Sequence, residues 1–437
     1  MARLLMVESW VRSTGLGLPP LIRELGHEFV LLSRDPELYR RYAPPDGAHP
    51  VLALAAEVVT AETNDPTGLA EHAADLHRHH RFDGVLTTCD YYLRATSTVV
   101  ARLGLPGPRL DAIAIATDKH RVRDALTAAG LPNPRYALAS GPEQATRAAA
   151  ELGYPLVAKP VDLNSGTLVR RVDDDATLIA TAEAIAAQRS NTRGQHLRGA
   201  ILVEELMSGP EVSVEAVTAA GVTTVLGVTD KSVTGAPSFV ESGHMFPADL
   251  PPDITRQLGE LVVAALDAIG YDHGLSHTEI MLTPHGPRIV EINPRQGGNY
   301  IFDLVRHVTG SSVLHTMVDL ALGQRPRPVE RPAVPGGLSA AVYFVLSPRD
   351  GDLVAVHGLD HLTTDDRVLR CCVDAVVPGP VHRARDNEDY LGHVLAVDPA
   401  GPGARRHAER AVAGLRLEFA DNATVAPLGP SALGRPT

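Results

Sequence analysis

A chain of 437 residues is long enough for two to four domains, and its 44% hydrophobic and 21% charged residues are ordinary for a globular protein. Its net charge of −12 argues against a general nucleic-acid binder, and no apolar run approaches the ~20 residues that a membrane helix needs. Three cysteines, without metal or redox spacing and without a signal peptide, predict a cytoplasmic protein.

The first part of the chain has the pattern of a parallel α/β sheet. Residues 4–7 predict a buried strand, a turn with Gly15 and Gly17 follows, and apolar spacing predicts a helix through Leu25. Residues 27–32 predict the next strand, so a β-α-β unit begins a doubly wound sheet. The turn is not a G-x-G-x-x-G motif, and a dehydrogenase is a distant alternative that rests on this turn alone.

Asp90 follows a predicted strand of residues 82–88, at the edge where open α/β sheets bind their ligands. Two roles are open to it: a substrate contact, or a cap on the helix of residues 91–103, and we favour the cap. Three histidines at positions 77, 79 and 80 have no carboxylate motif beside them, so we expect an exposed helix end there rather than a metal site.

Two lysines stand at positions that suit a phosphate. Lys119 opens a helix that begins at Asp118, where the helix dipole favours anions, and a bound phosphate would explain a lysine there. Lys159 ends a strand of residues 154–160. The small residues 162–167 then form a loop whose amides could cover phosphates, although a plain hairpin turn has the same composition.

The middle of the chain predicts further strands and one long loop. Residues 200–217 predict two strands around a Gly-Pro turn, with Glu211 at the start of the second. The stretch from 235 to 252 is broken by Gly and Pro and predicts a functional loop. Glu241 and His244 on this loop are candidate substrate contacts, and local packing is the alternative for His244.

Residues 277–293 predict a β-hairpin that carries an unusual face. If its turn centres on His285, Glu279 pairs with Glu291 across the ladder, and facing like charges are tolerated when a cation sits between them. These carboxylates and Asn293 form an oxygen ligand set that suits Mg²⁺ carried by a nucleotide phosphate. The alternative is an ordinary solvated face of a hairpin.

The residues after this hairpin continue the pattern. Arg295 stands just past the strand end and is placed to hold a phosphate or carboxylate in a fork. Gly297 and Gly298 predict a helix start whose bare amides face Arg295. Residues 336–420 predict a small β-rich module with one helix, and we find no catalytic constellation in it.

Taken in order, these motifs resemble the ATP-grasp superfamily over about residues 1–330. The resemblance is carried by Lys119, by Lys159 with its small-residue loop, by residues 203–211, and by Glu279 with residues 291–295. Within the superfamily, residues 239–244 and 295–298 look like the L-amino acid ligases, which make dipeptides. The β-rich C-terminal part is similar to the extra domain of that group.

The resemblance implies an α/β and α+β multidomain fold. It implies an N-terminal doubly wound, Rossmann-like domain over residues 1–115, followed by an ATP-grasp core of two α+β subdomains. These are a lid over residues 116–205 and a larger subdomain with the metal site over residues 206–330. A small β-rich domain over residues 331–437 completes the chain.

The resemblance also implies a role for each candidate residue. Contacts to ATP would come from Lys119, Lys159, Asn164, Ser165, Gly166, Thr167, Glu204, Glu205, Met207, Glu211 and Lys231. Among these, residues 164–167 would form the lid loop over the phosphates, and Glu204 with the backbone of Glu205 and Met207 would receive the adenine edge. Glu211 would hold the ribose, and Lys231 would sit near the γ-phosphate.

The remaining implied roles concern the metal and the reaction. Two Mg²⁺ ions, or Mn²⁺ as a substitute, would bind Glu279, Glu291 and Asn293. Arg295 would stabilise the transferring phosphoryl group and the tetrahedral intermediate, while Glu241 and His244 would line the amino-acid pocket. The sequence departs from the pattern in its lid loop, which has one glycine where many members have several. Glu205 stands where some members carry lysine.

The implied reaction converts ATP, an amino acid and an amine into an amide, ADP and phosphate through an acyl phosphate. The partners would be these small molecules, with neither nucleic acid nor membrane, and the protein would be a monomer or homodimer. Two alternatives stay open. One is a ligase for a carboxylate other than an amino acid, in specialised or nucleotide metabolism. The other is an ATP-binding regulatory protein without catalysis.

Overall fold

The computed structural model describes residues 1–44, 47–234, 240–387 and 389–429. Phe239, part of the segment that resembles the L-amino acid ligases, lies outside these ranges. Within them, no helix combines the length and the apolar character needed to cross a membrane.

The N-terminal part of the chain is a parallel α/β unit. Its elements are β1 (Arg3–Val7), α1 (Thr14–Glu24), β2 (Glu28–Ser33), α2 (Pro36–Arg41), α3 (Pro50–Ala53), β3 (Glu57–Thr60), α4 (Pro66–His80), β4 (Gly84–Leu86), a 3₁₀ turn (Asp90–Tyr92), α5 (Leu93–Leu103) and α6 (Leu110–Ala116). The strands run parallel in the order β3-β2-β1-β4, so the predicted doubly wound, Rossmann-like sheet is confirmed. Gly15 is required in the turn after β1, because a Cβ there would lie 1.6 Å from the carbonyl oxygen of Trp10.

The second part of the chain has a separate antiparallel sheet. Its elements are α7 (Lys119–Ala128), β5 (Tyr136–Ala139), α8 (Pro142–Leu152), β6 (Leu156–Pro160), β7 (Arg170–Val172), α9 (Asp175–Ala187) and β8 (Ile201–Glu205). The strand order is β5-β8-β6-β7. Helix α7 begins as predicted, because the carboxylate of Asp118 accepts hydrogen bonds from the backbone N–H groups of His120 and Arg121.

The third part is built on one large sheet. Its elements are β9 (Glu211–Ala219), β10 (Val222–Val233), β11 (Glu241–Phe246), α10 (Pro252–Ala268), β12 (Gly274–Thr283), β13 (Gly286–Asn293), α11 (Ile301–Thr309), α12 (Val313–Ala321), β14 (Ser339–Leu346), β15 (Gly351–His357), α13 (Leu359–Leu362), β16 (Val368–Val373), β17 (Gly379–Val381), β18 (Tyr390–Asp398), α14 (Ala404–Gly414), β19 (Arg416–Phe419) and β20 (Thr424–Val425). Eight strands form the order β13-β12-β9-β10-β11-β14-β18-β16, and a smaller sheet has the order β17-β15-β19-β20. Strands from both sides of residue 331 therefore share one sheet, and the four-way division of the chain stays a prediction.

The loop predicted from residue 235 to 252 is wrong over Glu241–Phe246, which form β11 inside the large sheet. This strand pairs with β10 on one side and β14 on the other, and five of its six residues are buried. Gly243 is required there, because a Cβ would lie 2.3 Å from the ring of Tyr343 on β14. Buried polar residues and a flanking Gly-Pro stretch obscured the strand pattern in the sequence.

The β12–β13 hairpin brings Glu279 opposite Glu291 by a route that differs from the prediction. Thr283 pairs with Gly286, so the turn consists of residues 284 and 285 and is not centred on His285. The register then shifts between Glu279 and Ile280, which is a β-bulge on the edge strand β13. The bulge adds one residue to β13, and the two carboxylates face each other as predicted.

Arg123 on α7 links this bulge to the second sheet, and its side chain is 2% exposed. Its Nη1 and Nη2 donate to the carbonyl oxygens of Ile289 and Val290 at 3.1 and 2.6 Å, and its Nε donates to Glu204 Oε1 at 2.6 Å. Lys159 Nζ lies 2.7 Å from the other oxygen of Glu204. Burial opposes the charged form of Glu204, but Arg123 and Lys159 outweigh it and lower the pKa of Glu204 to about 2.

We expect Arg123→Met to destabilise the fold by about 3 kcal/mol, because it leaves a buried carboxylate half-paired and two backbone carbonyls without donors. Urea unfolding would measure the free energy of unfolding. Arg121→Met is the matched control, since Arg121 is exposed on the same helix and its guanidinium donates to the Ala114 carbonyl at the surface. Equal losses in the two variants would contradict the role given to Arg123.

The lowered pKa of Glu204 predicts a pH dependence of stability. Its carboxylate contributes stability above the pKa of about 4.5 that it has in the unfolded chain, and that stability is lost as pH falls toward about 2. Between pH 4.5 and 3 the wild type should therefore lose more free energy of unfolding than Glu204→Gln, whose amide cannot titrate. Parallel slopes for the two proteins would refute this assignment.

Candidate active site

The facing carboxylates of the hairpin each hold a lysine. Glu291 Oε1 lies 2.9 Å from Lys119 Nζ at the start of α7, and Glu279 Oε1 lies 2.9 Å from Lys231 Nζ on β10. The carboxylates of Glu279 and Glu291 are thus placed to bind a cation. Asn293, at the end of β13, offers an amide oxygen as a third ligand. Within the described ranges no three His, Cys, Asp or Glu side chains form a metal-binding group. This donor set fits a hard cation that takes its remaining ligands from a phosphate.

Lys231 is the centre of a buried ion cluster. Besides Glu279, its ammonium group lies 2.5 Å from Glu211 Oε1 and 2.9 Å from Glu241 Oε1, and its side chain is 3% exposed. Burial favours the neutral amine, but the three carboxylates outweigh it and raise the pKa of Lys231 well above its usual range. The predicted ribose, substrate and metal carboxylates therefore converge on one lysine.

His277 also belongs to this ion cluster, a role that the sequence did not suggest. Its Nδ1 lies 3.0 Å from both oxygens of Glu215, and its Nε2 lies 3.3 Å from Glu279 Oε1. Burial opposes the imidazolium, but Glu215 and Glu279 outweigh it and raise the pKa of His277 to about 9. Glu215 is itself held by the hydroxyl groups of Ser213 and Thr229. This chain of contacts fixes the orientation of Glu279.

Glu241 and His244, the predicted pocket residues, are neighbours on β11. His244 Nε2 lies 3.4 Å from Glu241 Oε2, and that oxygen accepts a hydrogen bond from Asn299 Nδ2 at 2.7 Å. The His244 ring packs edge-on against Phe344, with ring centroids 5.9 Å apart. The Nδ1 atom of this buried histidine has no hydrogen-bond partner among the described residues.

Arg295 is oriented by Asp90, and the cap favoured for Asp90 is wrong. The Asp90 side chain caps neither the 3₁₀ turn nor α5. Its Oδ2 accepts from Arg295 Nε at 2.5 Å, and its Oδ1 accepts from Trp10 Nε1 at 3.2 Å. Arg295 Nη2 also lies 3.5 Å from Asn293 Oδ1. The position of Asp90 just past a strand end, where open α/β sheets bind their ligands, was the sequence signal that it belongs to the site.

The helix start predicted at Gly297 and Gly298 is also wrong. Helix α11 begins at Ile301, because Asn299 and Tyr300 have φ angles of 49° and 67°, which are not helical. The amides of Gly297 and Gly298 are therefore in a loop beside Arg295.

The predicted lid loop is a tight, irregular turn. Ser165, Gly166 and Leu168 have φ angles of 59°, 70° and 58°, and the Thr167 N–H donates to the Asn164 carbonyl at 3.1 Å. Asn164 Nδ2 lies 3.4 Å from Asp90 Oδ2. One side chain of the loop thus reaches the carboxylate that orients Arg295.

The predicted adenine-binding edge lies at the end of β8. Glu204 is buried between Arg123 and Lys159, so its carboxylate is occupied by two cations. The Glu205 side chain pairs with Arg135 at 3.0 Å and with Arg288. The Glu205 N–H already donates to the Arg135 carbonyl at 3.0 Å, so this amide hydrogen is not free for adenine. Met207 follows the strand and is half-buried.

A cavity of about 240 Å³ opens between the three parts of the chain. The predicted site residues that line it are Lys119, Asn164, Glu291, Asn293 and Arg295. Its other walls come from residues 90–94 of the N-terminal part, residues 116–118, Asp162, and residues 191–198 between α9 and β8. The sequence did not single out this last segment. The remaining predicted site residues lie in the buried ion clusters or on the lid loop, except Glu205 and Met207, which are half-buried at the end of β8 and just after it.

Three protein families match consecutive parts of the chain. The ATP-grasp N-terminal domain matches residues 23–107, the ATP-grasp domain matches residues 152–303, and the L-amino acid ligase C-terminal domain 2 matches residues 343–420. The order agrees with the predicted fold class, which is confirmed.

Curated relatives and solved structures give the same grouping. An uncharacterized protein of Sinorhizobium fredii is 26% identical over 94% of this chain and 81% of its own length. Carnosine synthase 1 of Gallus gallus is 30% identical over 77% of this chain, which spans only 37% of that protein. The fold is similar to the crystal structure of an L-amino acid ligase from Bacillus licheniformis, with a TM-score of 0.78, 21% identity, and coverage of 96% and 99% of the two chains. The chain is therefore an ATP-grasp domain protein that carries an L-amino acid ligase C-terminal domain.

Proposed function

We propose that this protein is an ATP-dependent carboxylate–amine ligase that forms an amide bond through an acyl phosphate and releases ADP and phosphate. The carboxylate is an L-amino acid, and the amine belongs to a second amino acid or another amine. The names of the relatives, a carnosine synthase and an L-amino acid ligase, support substrates of this class. We further propose a cytoplasmic monomer or homodimer with the four-part division given above.

One observation carries the proposal: Glu279 and Glu291 face each other beside Arg295, at the edge of a cavity that also holds Lys119. Binding of a nucleotide alone does not need two facing carboxylates together with an arginine beyond them. Transfer of a phosphoryl group does, because cations must neutralise charge on several phosphate oxygens at once.

The nucleotide is held from both sheets. Lys119 and the lid loop lie at the cavity and contact the phosphates, while Lys159 and Glu204 support the adenine edge. The ribose is held by Glu211, and Lys231 approaches the γ-phosphate from the same buried cluster. Glu279, Glu291 and Asn293 would hold magnesium, which would supply positive charge to the phosphate oxygens.

In the first half-reaction, a carboxylate oxygen of the amino acid attacks the γ-phosphorus, and the bond from that phosphorus to ADP breaks. Arg295 binds the transferring group, and Asp90 keeps its guanidinium in place for both reactants. Because the transition state needs little covalent help, positioning and charge provide most of the acceleration. The lid loop excludes water, which would otherwise hydrolyse the acyl phosphate.

In the second half-reaction, the neutral amine attacks the carbonyl carbon. A C–N bond forms, the C–O bond to phosphate breaks, and the amine loses a proton to solvent. Arg295 stabilises the oxyanion of the tetrahedral intermediate, in the manner of other preorganised donors. Glu241 and His244 form the wall of the amino-acid pocket, where the unpaired Nδ1 atom of His244 can meet a polar substrate group.

A screen with ATP, Mg²⁺ and pairs of L-amino acids should show release of ADP and phosphate in equal amounts. Hydroxylamine, a small nucleophile that captures acyl phosphates as hydroxamates, should give a hydroxamate of the first amino acid in the absence of any acceptor. Formation of AMP and pyrophosphate instead would refute the acyl-phosphate route.

We expect Glu279→Gln and Glu291→Gln each to lower kcat by at least about 100-fold and to raise the Mg²⁺ concentration needed for half-maximal rate. Chelation of the metal should abolish activity. The control is Glu260→Gln on α10, an exposed glutamate that pairs with Arg256 on the same helix. If both site variants, still folded by circular dichroism, kept activity within threefold of the control, the metal assignment would fail.

A further inference from the structure

The turn after β1 carries Trp10, the single tryptophan of the chain. Its indole Nε1 donates to Asp90 Oδ1 at 3.2 Å, and the other oxygen of Asp90 accepts from Arg295 Nε at 2.5 Å. An indole nitrogen is a donor only, so a carboxylate oxygen is a suitable partner for it. The two oxygens of Asp90 therefore join a residue of the N-terminal part to the arginine of the proposed reaction.

The turn that holds Trp10 has an unusual backbone. Glu8 and Ser13, on either side of Trp10, have φ angles of 55° and 51°, which residues with a side chain rarely adopt. Such angles persist where surrounding contacts over-determine them, and they are frequent at functional sites. The Glu8 carboxylate accepts hydrogen bonds from the hydroxyl groups of Ser33, Tyr39 and Thr63 at 3.0, 2.6 and 2.8 Å. The backbone is thus held in one conformation just before Trp10.

The indole ring is held by Arg193, which belongs to the segment between α9 and β8. The Arg193 guanidinium lies 5.6 Å from the Trp10 ring centroid, and its Nη2 donates to the Ser9 carbonyl at 2.6 Å. The backbone N–H of Trp10 donates to Thr88 Oγ1 at 2.9 Å. Because ring and backbone are both fixed, the indole N–H has a defined direction toward Asp90.

The guanidinium of Arg295 depends on the orientation of the Asp90 carboxylate. Its Nε is held by Asp90, and its Nη1 donates to the Gln296 carbonyl at 2.7 Å. A guanidinium is planar and has five N–H groups, so these two contacts fix its plane and the direction of its other donors. Asn164 Nδ2, at 3.4 Å, shares Oδ2 of Asp90 with Arg295, whereas Trp10 holds Oδ1. The Trp10 contact therefore opposes rotation of the carboxylate.

We infer that Trp10 is a positioning residue of the ligase: its indole N–H fixes the Asp90 carboxylate and, through it, the guanidinium of Arg295. The inference rests on the proposed function and adds to it a residue that acts through another. The alternative is that Trp10 only packs against Arg193 and Tyr91, whose ring centroid is 5.9 Å from that of Trp10. Positioning requires the N–H group, whereas packing requires the apolar area of the ring.

Two substitutions separate the N–H group from the ring. Trp10→Phe keeps an aromatic ring without an N–H, while Trp10→His keeps a ring nitrogen at the ε position that can donate but loses apolar area. Tyr42→Phe is the control, because Tyr42 is an exposed aromatic residue of the same part of the chain and also loses one polar group. For each protein, ADP release, the KM for ATP, hydroxamate formation and urea unfolding are measured.

We expect Trp10→Phe to lower kcat and hydroxamate formation about 10-fold and to leave the KM for ATP within about twofold, because a hydrogen bond to a charged group is lost. Trp10→His should recover at least about a third of the wild-type kcat, although it should unfold at a lower urea concentration than Trp10→Phe. Packing alone predicts the reverse order of activity. That reverse order, or a kcat of Trp10→Phe equal to that of the Tyr42→Phe control, would overturn the inference.

A double-mutant cycle with Asp90→Asn tests whether Trp10 acts through Asp90, and it remains decisive if Trp10→His does not fold. Asp90→Asn alone should lower kcat about 100-fold, because Arg295 loses its carboxylate partner. Addition of Trp10→Phe should then change kcat by less than about twofold, whereas independent effects would multiply to about 1,000-fold. A multiplied loss would reject the positioning role. Wild type that forms neither ADP nor hydroxamate would instead point to failure of the ligase proposal itself.

Discussion

The site depends on one electrostatic constraint, which is that two glutamates face each other across a β-ladder at a spacing where like charges repel. The protein offsets the repulsion with cations on opposite sides: Lys119 on Glu291 and Lys231 on Glu279. Arg123 fixes the backbone that produces the facing, because it binds both carbonyl groups at the bulge. Burial opposes the charged form of Glu279, but Lys231 and His277 outweigh it and lower the pKa of Glu279, so this carboxylate is ionised and oriented before any ligand enters. A cation that enters between the two glutamates competes with the two lysines for their oxygens.

The sequence was sufficient for those parts of the fold whose signals are local. Alternation and turn residues predicted the hairpin, and spacing predicted the parallel sheet and the helix start at Asp118. The pairing of Glu279 with Glu291 was predicted from a turn centred on His285, whereas the observed turn consists of residues 284 and 285. The two glutamates still pair, because the bulge shifts the register by one residue. A bulge stabilised by a distant arginine leaves no signal in the hairpin's own sequence.

The contacts that sequence could not provide are those between distant segments. Asp90 and Arg295 are 205 residues apart, and a helix cap is the ordinary local role for an aspartate at a strand end. Arg193 looks in the sequence like any arginine in a polar loop, but its Nη2 donates to the Ser9 carbonyl at 2.6 Å and its guanidinium lies 5.6 Å from the Trp10 ring centroid. β11 was missed because its buried positions hold serine and histidine, residues that sequence patterns assign to the surface. In each case a tertiary partner satisfies a polar group, and the partner cannot be read from neighbouring residues.

The large sheet is continuous into the C-terminal third, so that third helps to hold the strand that carries Glu241 and His244. β11 carries Glu241 and His244, and its second edge is covered by β14, which lies beyond residue 331. A chain cut between α12 and β14 would leave residues 243–246 of β11 with an unpaired edge, which could pair with another chain. His244 would also lose the Phe344 ring that packs against it. For that reason we expect an exchange of the C-terminal part between related proteins to succeed only when β11 is exchanged together with it.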